Sequence, residues 1–378
     1  MKVLIAGDFC ECHRIAECIR LGDTLSPLSD VRAVTQAHDY AILNLEFPIV
    51  MQEGHPIAKN GPLLKGHKES VQLLKTSGFS CCTLANNHIL DQGESCALET
   101  RSYLEGEGLD TVGLGKNTKE ACNILFLNIN GEKLAIINCC EHEFSCATDI
   151  TPGANALNPV QQFYQIQEAK KKANYILVIV HGGHEHFQLP SLRMIETYRF
   201  FIDAGADAVV NHHQHCYSGF EIYKEKPIFY GLGNFLFDNP TQRNTSWNEG
   251  YLVSLDFHNG QVNHKLIPYN QCNEMPKVCL LTGEEQKNFE IQINRLNAII
   301  ANKEILKKNI ESYFNACSSY EMEVLEPYSS RVTRKLHHWH LLPHWIKGDK
   351  KLSIRNHIDC ESHRDKLLHA LKKKNEKL

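Results

Sequence analysis

The stretch ADAVVNHHQHCYSGFEIYKEKPIFYGLGNFLFD, residues 206–238, contains a short apolar strand that ends in a group of histidines. His212, His213 and His215 follow the run AVVN. Neutral imidazole nitrogens are common metal ligands, and side chains two residues apart can converge on one centre from a sharp loop. The stretch therefore predicts a metal site at the end of a buried strand. We expect His212 to point away from that site, because adjacent residues on a strand face opposite sides.

A second apolar run, PIFYGLGNF at residues 227–235, begins twelve residues after the last of these histidines. Gly231 and Gly233 within it allow the backbone to approach another group closely. We expect the run to form a strand beside the histidine-ended strand. We also expect Asn234, which follows the glycines, to contact the substrate.

Four earlier apolar runs also end in polar side chains. These strand-end residues are Asp8, Glu46, Asn87 with His88, and His181. Ligands of open α/β sheets bind at the carboxyl ends of the strands. Taken alone, each residue is equally well explained as an ordinary surface side chain, and with 21 His in 378 residues some clustering arises by chance. Their recurrence at strand ends favours one shared metal site.

The segment LANNHILDQG, residues 84–93, places four polar side chains directly after a buried strand. Asn87 and His88 have no evident structural role there, and we interpret them as catalytic or metal-binding residues. Asp91 has two interpretations. It takes part in catalysis, or it caps the helix that is expected to begin at residue 94.

The segment HGGHEH, residues 181–186, follows another buried strand. Its two glycines suit a close approach of the backbone to a ligand. His184 and Glu185 are either substrate contacts or solvated loop residues, and the sequence leaves both alternatives open.

Composition places the chain among ordinary globular proteins, with 42% hydrophobic and 22% charged residues. The start MKVLIAGDF has too short an apolar run for a signal peptide, so we expect the protein to be made and kept in the cytoplasm. The 15 Cys are an odd number and several lie within apolar strand patterns, which indicates reduced core thiols. No C-x-x-C pair occurs, so a zinc ribbon is not expected.

The sequence predicts a catalytic domain at residues 1–270 and a helical, basic extension at residues 285–378. A hairpin turn is expected at Asn130-Gly131, and one long charged helical pattern covers residues 284–317.

Residues 327–378 carry 13 Lys/Arg and 5 Asp/Glu, a net charge of +8, whereas the whole chain carries −4, which leaves −12 for the remainder. An acidic body of this kind does not attract nucleic acid unaided.

The basic extension also contains apolar side chains set among histidines and lysines. They are Trp339, Leu341, Leu342 and Trp345, with His337, His338, His340 and His344 between them. We expect this segment to dock the protein on the inner face of the membrane, where basic residues near anionic lipid contribute about 1 kcal/mol each, or on a synthase partner. The alternative is that the tryptophans pack on the catalytic domain. The intervening Trp, Leu and Pro residues argue against a second metal site formed by these histidines.

Six ordered motifs carry a family resemblance. In chain order they are GD at 7–8, NLE at 44–46, LANNHILDQG at 84–93, HGGHE at 181–185, DAGADAVVNHHQH at 203–215 and PIFYGLGNFLFD at 227–238. The sequence resembles the CapA-like capsule synthesis proteins, the poly-gamma-glutamate capsule family with a calcineurin-like metallophosphoesterase fold, over about residues 3–269. The resemblance implies an α/β fold in which a two-layer β-sandwich is flanked by helices, with a C-terminal helical extension added in this chain.

The resemblance also implies two divalent metal ions held by strand-end side chains. The implied ligands are Asp8, Glu46, Asn87, His181, His213 and His215. Glu46 would bridge the two ions, and His88 would face the scissile group. Mixed carboxylate, amide and imidazole ligands suit Mn, Fe or Zn better than Ca.

Three departures from the family pattern bear on the site. Cys10 stands where metallophosphoesterases have the histidine of D-x-H, so one metal ligand is absent or replaced. Gly182 replaces the tryptophan of HWG and opens the pocket wall, while Asn211 and Gln214 replace the glycine and proline of GHHPH. We expect the choice of substrate to differ accordingly.

The implied function is metal-dependent hydrolysis of the phosphoesterase type in the biosynthesis of capsule or another surface polymer. Two ions about 3.5–4 Å apart activate water and hold the oxygens of an in-line displacement. The expected substrate is an anionic or phosphorylated small molecule or a surface-polymer precursor. Two alternatives remain open: a non-catalytic, metal-binding component of a polymer synthase, and a hydrolase of amide or glycan-ester bonds.

Overall fold

The computed structural model describes residues 1–59, 61–323, 332, 335–336, 339, 341 and 348–375. The strands of this part of the chain are β1 (Lys2–Cys10), β2 (Tyr40–Leu45), β3 (Cys81–Thr83), β4 (Asp110–Val112), β5 (Leu114–Gly115), β6 (Leu125–Ile129), β7 (Glu132–Cys140), β8 (Gly153–Ala154), β9 (Tyr175–His181), β10 (Ala208–His212), β11 (Phe220–Tyr223), β12 (Lys226–Phe229), β13 (Asn234–Phe237), β14 (Glu249–His258), β15 (Gln261–Gln271) and β16 (Val278–Leu280). The helices are α1 (His13–Arg20), α2 (Arg32–Gln36), α3 (Glu69–Thr76), α4 (Glu94–Gly106), α5 (Thr118–Ala121), α6 (Pro159–Lys170), α7 (Leu192–Ala204), α8 (Gly283–Ala301), α9 (Lys303–Glu323), α10 (Asp349–Asp359) and α11 (Glu361–Asn375).

Two β-sheets form the centre of the fold. The first has the order β16-β15-β14-β1-β2-β3-β4, with β13 also paired to β1, and the second has the order β11-β12-β10-β9-β7-β6. Strands β1 to β4 are parallel to one another, as are β7, β9, β10 and β12. A two-stranded sheet of β5 and β8 lies apart from them.

The facing surfaces of the two large sheets form one buried core. Val3 and Ile5 of β1 belong to the same hydrophobic cluster as Leu177 and Ile179 of β9. The alternate residues of these strands point outward and are covered by helices, with Leu4 in a cluster against the first sheet and Val178 and Val180 in another against the second. Burial on both faces explains why these strands read as continuous apolar runs. The expected β-sandwich flanked by helices is confirmed.

The hairpin expected at Asn130-Gly131 is confirmed. Strands β6 and β7 pair antiparallel up to Ile129 and Glu132. The two turn residues have φ of 54° and 84°, which is the conformation of a tight hairpin turn and favours the Asn-Gly sequence.

The single helical pattern expected over residues 284–317 is two helices, α8 and α9, which separate at Asn302. Asn302 has φ −107° and ψ 100°, which is extended backbone. Its side-chain oxygen accepts hydrogen bonds from the backbone N–H groups of Glu304 and Ile305, at 3.2 and 3.1 Å. The asparagine therefore begins a new helix rather than continuing the first.

The run PIFYGLGNF forms two strands rather than one. Its first part, within β12, pairs with β10 in the second sheet as expected, but its last part, within β13, pairs with β1 in the first sheet. Residues 230–233 carry the chain from one sheet to the other. A Cβ atom added at Gly7 would lie 1.9 Å from the carbonyl oxygen of Gly233, and Gly233 itself has φ +79°. The two glycines are therefore required where the crossing segment packs directly against the backbone of β1.

The C-terminal helices pack against the sandwich. Ile300, Leu306 and Ile310 belong to the buried cluster on the outer face of the second sheet. Arg193 of α7 forms ion pairs both with Glu141, at 2.7 Å, and with Asp365 of α11, at 3.3 Å. The described part of the extension thus shares a core with the sandwich, whereas the division into domains near residue 270 stays a prediction.

Most of the expected docking surface falls outside the described residues, namely His337, His338, His340, Leu342, His344 and Trp345. Trp339 and Leu341 are exposed. Within the described ranges, no helix is long and apolar enough to cross a bilayer. Attachment to a membrane or to a partner remains a prediction.

We expect that Gly7, which packs against the crossing segment, does not tolerate an added methyl group. We expect Gly7→Ala to lower the free energy of unfolding by about 1–3 kcal/mol or more, because the added Cβ overlaps a backbone oxygen that cannot rotate away. The measurement is urea denaturation. Gly106→Ala, at the end of α4 where no atom lies within 4 Å, is the matched control. Equal effects of the two substitutions would contradict the steric account.

The packing of α10 and α11 predicts that the extension contributes to stability. A chain ending at residue 326 loses the buried Cys360, Leu367 and Ala370 and leaves Arg193 with one carboxylate partner instead of two. We expect its thermal midpoint to fall, by the equivalent of at least about 2 kcal/mol, since one buried leucine alone contributes about 1.5–3 kcal/mol. A chain lacking only residues 376–378 is the control, and an unchanged midpoint after the larger deletion would show that the helices are dispensable.

Candidate metal centre

The ends of five parallel strands from the two sheets meet at one edge of the sandwich. Asp8 lies near the end of β1, Glu46 follows β2, and Asn87 follows β3 in the first sheet. In the second sheet His181 ends β9, and His213 with His215 follows β10. All six side chains are at least nine-tenths buried. The arrangement brings together the residues that the sequence analysis assigned to metal binding.

One group of ligand atoms surrounds His181. Its Nε2 atom lies 3.1 Å from Nδ1 of His213, 3.0 Å from Oδ1 of Asn87 and 3.7 Å from Oε1 of Glu46. Ligand atoms about 2.1 Å from a common ion lie about 3.0–3.4 Å apart, depending on the coordination angle. Burial holds the pKa of His181 well below its usual value, so the ring is neutral and its nitrogen lone pair is available to a metal.

A second group consists of Asp8, Glu46 and His215. Each offers one atom, and these atoms lie within 4.8 Å of one another. Asp8 is fixed from two sides, by the Asn44 amide at 2.8 Å and by the backbone N–H of His213 at 3.1 Å. Burial alone would raise the pKa of Asp8, but the neighbouring histidines lower it below its usual range, so the carboxylate is ionised.

Glu46 belongs to both groups. It is fully buried, and among the described residues neither of its carboxylate oxygens has a hydrogen-bond partner. Burial raises its pKa well above the usual value, and the nearby Asp8 raises it further. A buried ionised carboxylate without donors is unfavourable by several kcal/mol unless a cation compensates it. The residues present therefore fit the binding of divalent cations around Glu46.

The backbone after β10 is held in an unusual conformation that aims two histidines at this centre. His213 has φ 93° and His215 has φ 55°, a region that non-glycine residues rarely adopt. Between them, the side chain of Gln214 donates to the carbonyl of Phe187 at 2.8 Å. Strained residues of this kind persist where the surrounding structure determines them, and they cluster at functional sites.

His88 lies beside the two groups, and its ring contacts one carboxylate and one ammonium group. Its Nδ1 atom is 2.7 Å from Oδ2 of Asp91 and 3.0 Å from Nζ of Lys59, and Lys59 itself is 2.5 Å from Oδ1 of Asp91. Helix α4 is preceded by Gly93, so Asp91 is not its cap. Burial lowers the pKa of His88, and the charge of Lys59 lowers it further against the opposing effect of Asp91.

The sequence pattern did not predict the roles of Lys59 and Asn44 or the position of His212. Asn44 is part of the NLE motif and was a recognisable candidate, whereas Lys59 lies in a polar loop without a strand-end pattern. His212 was expected to point away, but its Nδ1 lies 3.4 Å from Oδ1 of Asp8. The close pairing of β10 with β9, which sets His212 opposite His181, keeps its ring at the strand ends.

Two predicted substrate contacts lie elsewhere. His184 is fully buried and packs against Tyr313 and Phe314 of α9, with ring centroids 5.6 and 5.3 Å away. Asn234 is also fully buried, and its side-chain oxygen is 2.9 Å from Nδ1 of His215, so it orients that histidine rather than a substrate. Both residues are covered by other parts of the chain and are not accessible to a substrate. Glu185 lines a cavity beside His88, which is described below, and its role as a substrate contact stays a prediction.

A cavity of 490 Å³ opens over Asn87 and His88. Lys59 and Glu185 line it from the sandwich side. The opposite wall comes from the C-terminal helices, and its residues are Ala316, Cys317, Asn356, His357, His363 and Lys366. Helices of the C-terminal extension therefore form part of the pocket.

The sequence profile of the family "Bacterial capsule synthesis protein PGA_cap" matches residues 2–239. A 5'-nucleotidase precursor from Thermus thermophilus is a similar solved structure, with a TM-score of 0.42 and 14% identity over 80% of this chain and 59% of that chain. At this identity and TM-score, the likeness carries no information on the activity of the present chain.

Two curated proteins are similar in sequence. The capsule biosynthesis protein CapA of Bacillus anthracis is 32% identical over 286 residues, which cover 73% of this chain and 69% of that protein. The PGA biosynthesis protein CapA of Bacillus subtilis (strain 168) is 34% identical over 211 residues, covering 55% and 56%. Because the family profile spans more than half of its length, the chain belongs to the family of bacterial capsule synthesis proteins PGA_cap.

Proposed function

We propose that this protein is a metal-dependent hydrolase of the phosphoesterase type that acts in the synthesis of capsule or a related surface polymer. The observation that carries the proposal is the buried Glu46 carboxylate, which lacks hydrogen-bond donors within the described chain and belongs to two groups of metal-ligating atoms. Family membership supports the polymer-synthesis context, since the relatives are proteins of capsule and PGA biosynthesis.

The proposed ligands divide into two sets that share Glu46. Asn87, His181 and His213 would complete one set, and Asp8 with His215 would complete the other. Divalent ions held in this way supply Lewis acidity, which activates water and neutralises charge on phosphoryl oxygens. The two sets contain oxygen and nitrogen donors only, which suits Mn, Fe or Zn.

The chain's own contribution to bond cleavage would come from His88. Its Nδ1 is engaged by Asp91 and Lys59, so the ring is fixed and Nε2 is the nitrogen that remains for the pocket. At that atom the ring can donate a proton or a hydrogen bond to the departing oxygen. Lys59 and Asp91 act as positioning residues, because they contact His88 rather than a substrate.

The pocket supports an anionic substrate with a bulky leaving group. Lys59 and Lys366 line it on opposite walls, and the cavity of 490 Å³ is large enough for a group well beyond a phosphate. A screen of phosphomonoesters, phosphodiesters and sugar phosphates with Mn, Zn and Fe tests the proposal. If the protein binds ions but hydrolyses none of these, the chain is a metal-binding component of a polymer synthase or cleaves another bond, and the phosphoesterase proposal is wrong.

Metal content and turnover separate the roles of His88 and Glu46. We expect His88→Ala to lose phosphoesterase turnover by about 10²-fold or more while it keeps the wild-type metal content. Glu46→Ala should lose turnover and the metal held at this centre, because its carboxylate is shared by the two ligand groups. Elemental analysis of purified protein gives the metal content, and Glu53→Ala, an exposed acid in the loop after β2, is the control. Equal metal loss in the His88 and Glu46 variants would contradict the assignment.

Substitutions in the buried ion pair of Lys59 and Asp91 should distinguish its effect on stability from its effect on activity. Lys59→Met leaves Asp91 without its cation and should lower the free energy of unfolding by about 3–5 kcal/mol. The double substitution Lys59→Met with Asp91→Asn removes both charges and should recover most of that loss. Turnover should stay low in both variants, because His88 is no longer oriented. Full turnover in the stabilised double variant would show that the pair serves stability alone.

A further inference from the structure

A second group of metal-ligating side chains lies where the C-terminal helices meet the sandwich. Glu143, in the loop after β7, lies next to Cys360 and His363 at the junction of α10 and α11, and one ligand atom from each is within 4.8 Å of the others. None of these residues belongs to the groups around Glu46. We propose that Glu143, Cys360 and His363 bind a zinc ion that joins the C-terminal extension to the catalytic body.

The chemistry of the three side chains favours zinc. Cys360 and His363 are three residues apart, with Cys360 directly before α11 and His363 in its first turn, so both can reach one ion. A thiolate, an imidazole and a carboxylate are the mixed donors that zinc accepts, whereas Mg, Ca and Mn prefer oxygen. Cys360 is 1% exposed, which suits a metal ligand better than a reactive surface thiol.

Asn356 provides an independent observation. Its side chain is 95% buried, and its Nδ2 atom lies 2.8 Å from Nδ1 of His363 and 3.2 Å from Oε1 of Glu143, between two acceptors. Its Oδ1 atom is buried and has no hydrogen-bond partner within the described residues, which is unfavourable for a buried acceptor. A half-turn of the amide would exchange Oδ1 and Nδ2, so that Oδ1 would face the same two groups and could share a cation with them. Zinc binding would therefore give this buried oxygen a partner.

The site is both preorganised and accessible. Next to Glu143, His142 binds Glu361 of α11 through its backbone N–H at 3.0 Å and its ring at 2.6 Å. This contact fixes the loop against the helix before any ion arrives. Glu143, Asn356 and His363 also line the 490 Å³ cavity, so water can enter and complete the coordination. Binding would release the Cys360 thiol proton to solvent.

Cobalt substitution tests the proposal on the full-length protein. After chelator treatment, titration with Co²⁺ should produce a thiolate-to-metal charge-transfer band, because one ligand is a cysteine. Cys360→Ser should lose the band, and the zinc content of this variant should fall by one equivalent per chain. His363→Gln and Glu143→Gln keep the thiol and should weaken the band, so the result does not depend on the folding of one variant.

Matched controls separate this site from the centre at Glu46. Cys317→Ser changes another thiol of the same cavity and should keep the band, as should Cys10→Ser near the first centre. His181→Ala should lower metal binding at the first centre without affecting the band. The proposal is overturned if the wild type shows no thiolate band, or if the band persists in Cys360→Ser. Both outcomes are independent of whether the protein hydrolyses phosphoesters.

Discussion

A buried carboxylate without hydrogen-bond donors in the described chain is the constraint on which the rest of this structure depends. Glu46 leaves β2 at the point where the two sheets come together, and its charge is acceptable there only if cations compensate it. The imidazoles of His181, His213 and His215 approach from the second sheet, and Asp8 approaches from β1. The sandwich is thus arranged so that neither sheet alone supplies a complete set of ligands.

The sequence predicted the parts of the site that lie directly after buried strands. A strand end is visible in the pattern of apolar residues, so Asp8, Glu46 and His181 were found with their surroundings. Contacts made across the fold leave no such pattern. Lys59 reaches His88 from a polar loop, and the C-terminal helices reach the pocket from the far end of the chain.

The errors have the same origin. The run of residues 227–235 was expected as one strand because it is continuously apolar. It instead passes from one buried sheet to the other, and it is apolar because it is buried in each of them. Similarly, His184 was expected to contact a substrate or solvent from a loop, but Tyr313 and Phe314 of α9 cover it. Local sequence specifies which residues are polar, and distant packing decides which of them remain accessible to a ligand.

The crossing of the chain between the sheets at residues 230–233 also bears on how the protein is assembled. The same short segment joins β12, which is next to the strand that ends in His212, to β13, which is next to the strand that carries Asp8. A slip of one sheet against the other would pull directly on this connection. The candidate ligands from both sheets therefore come together only when the sandwich has formed, and a partly folded chain with one sheet would hold only part of either ligand group.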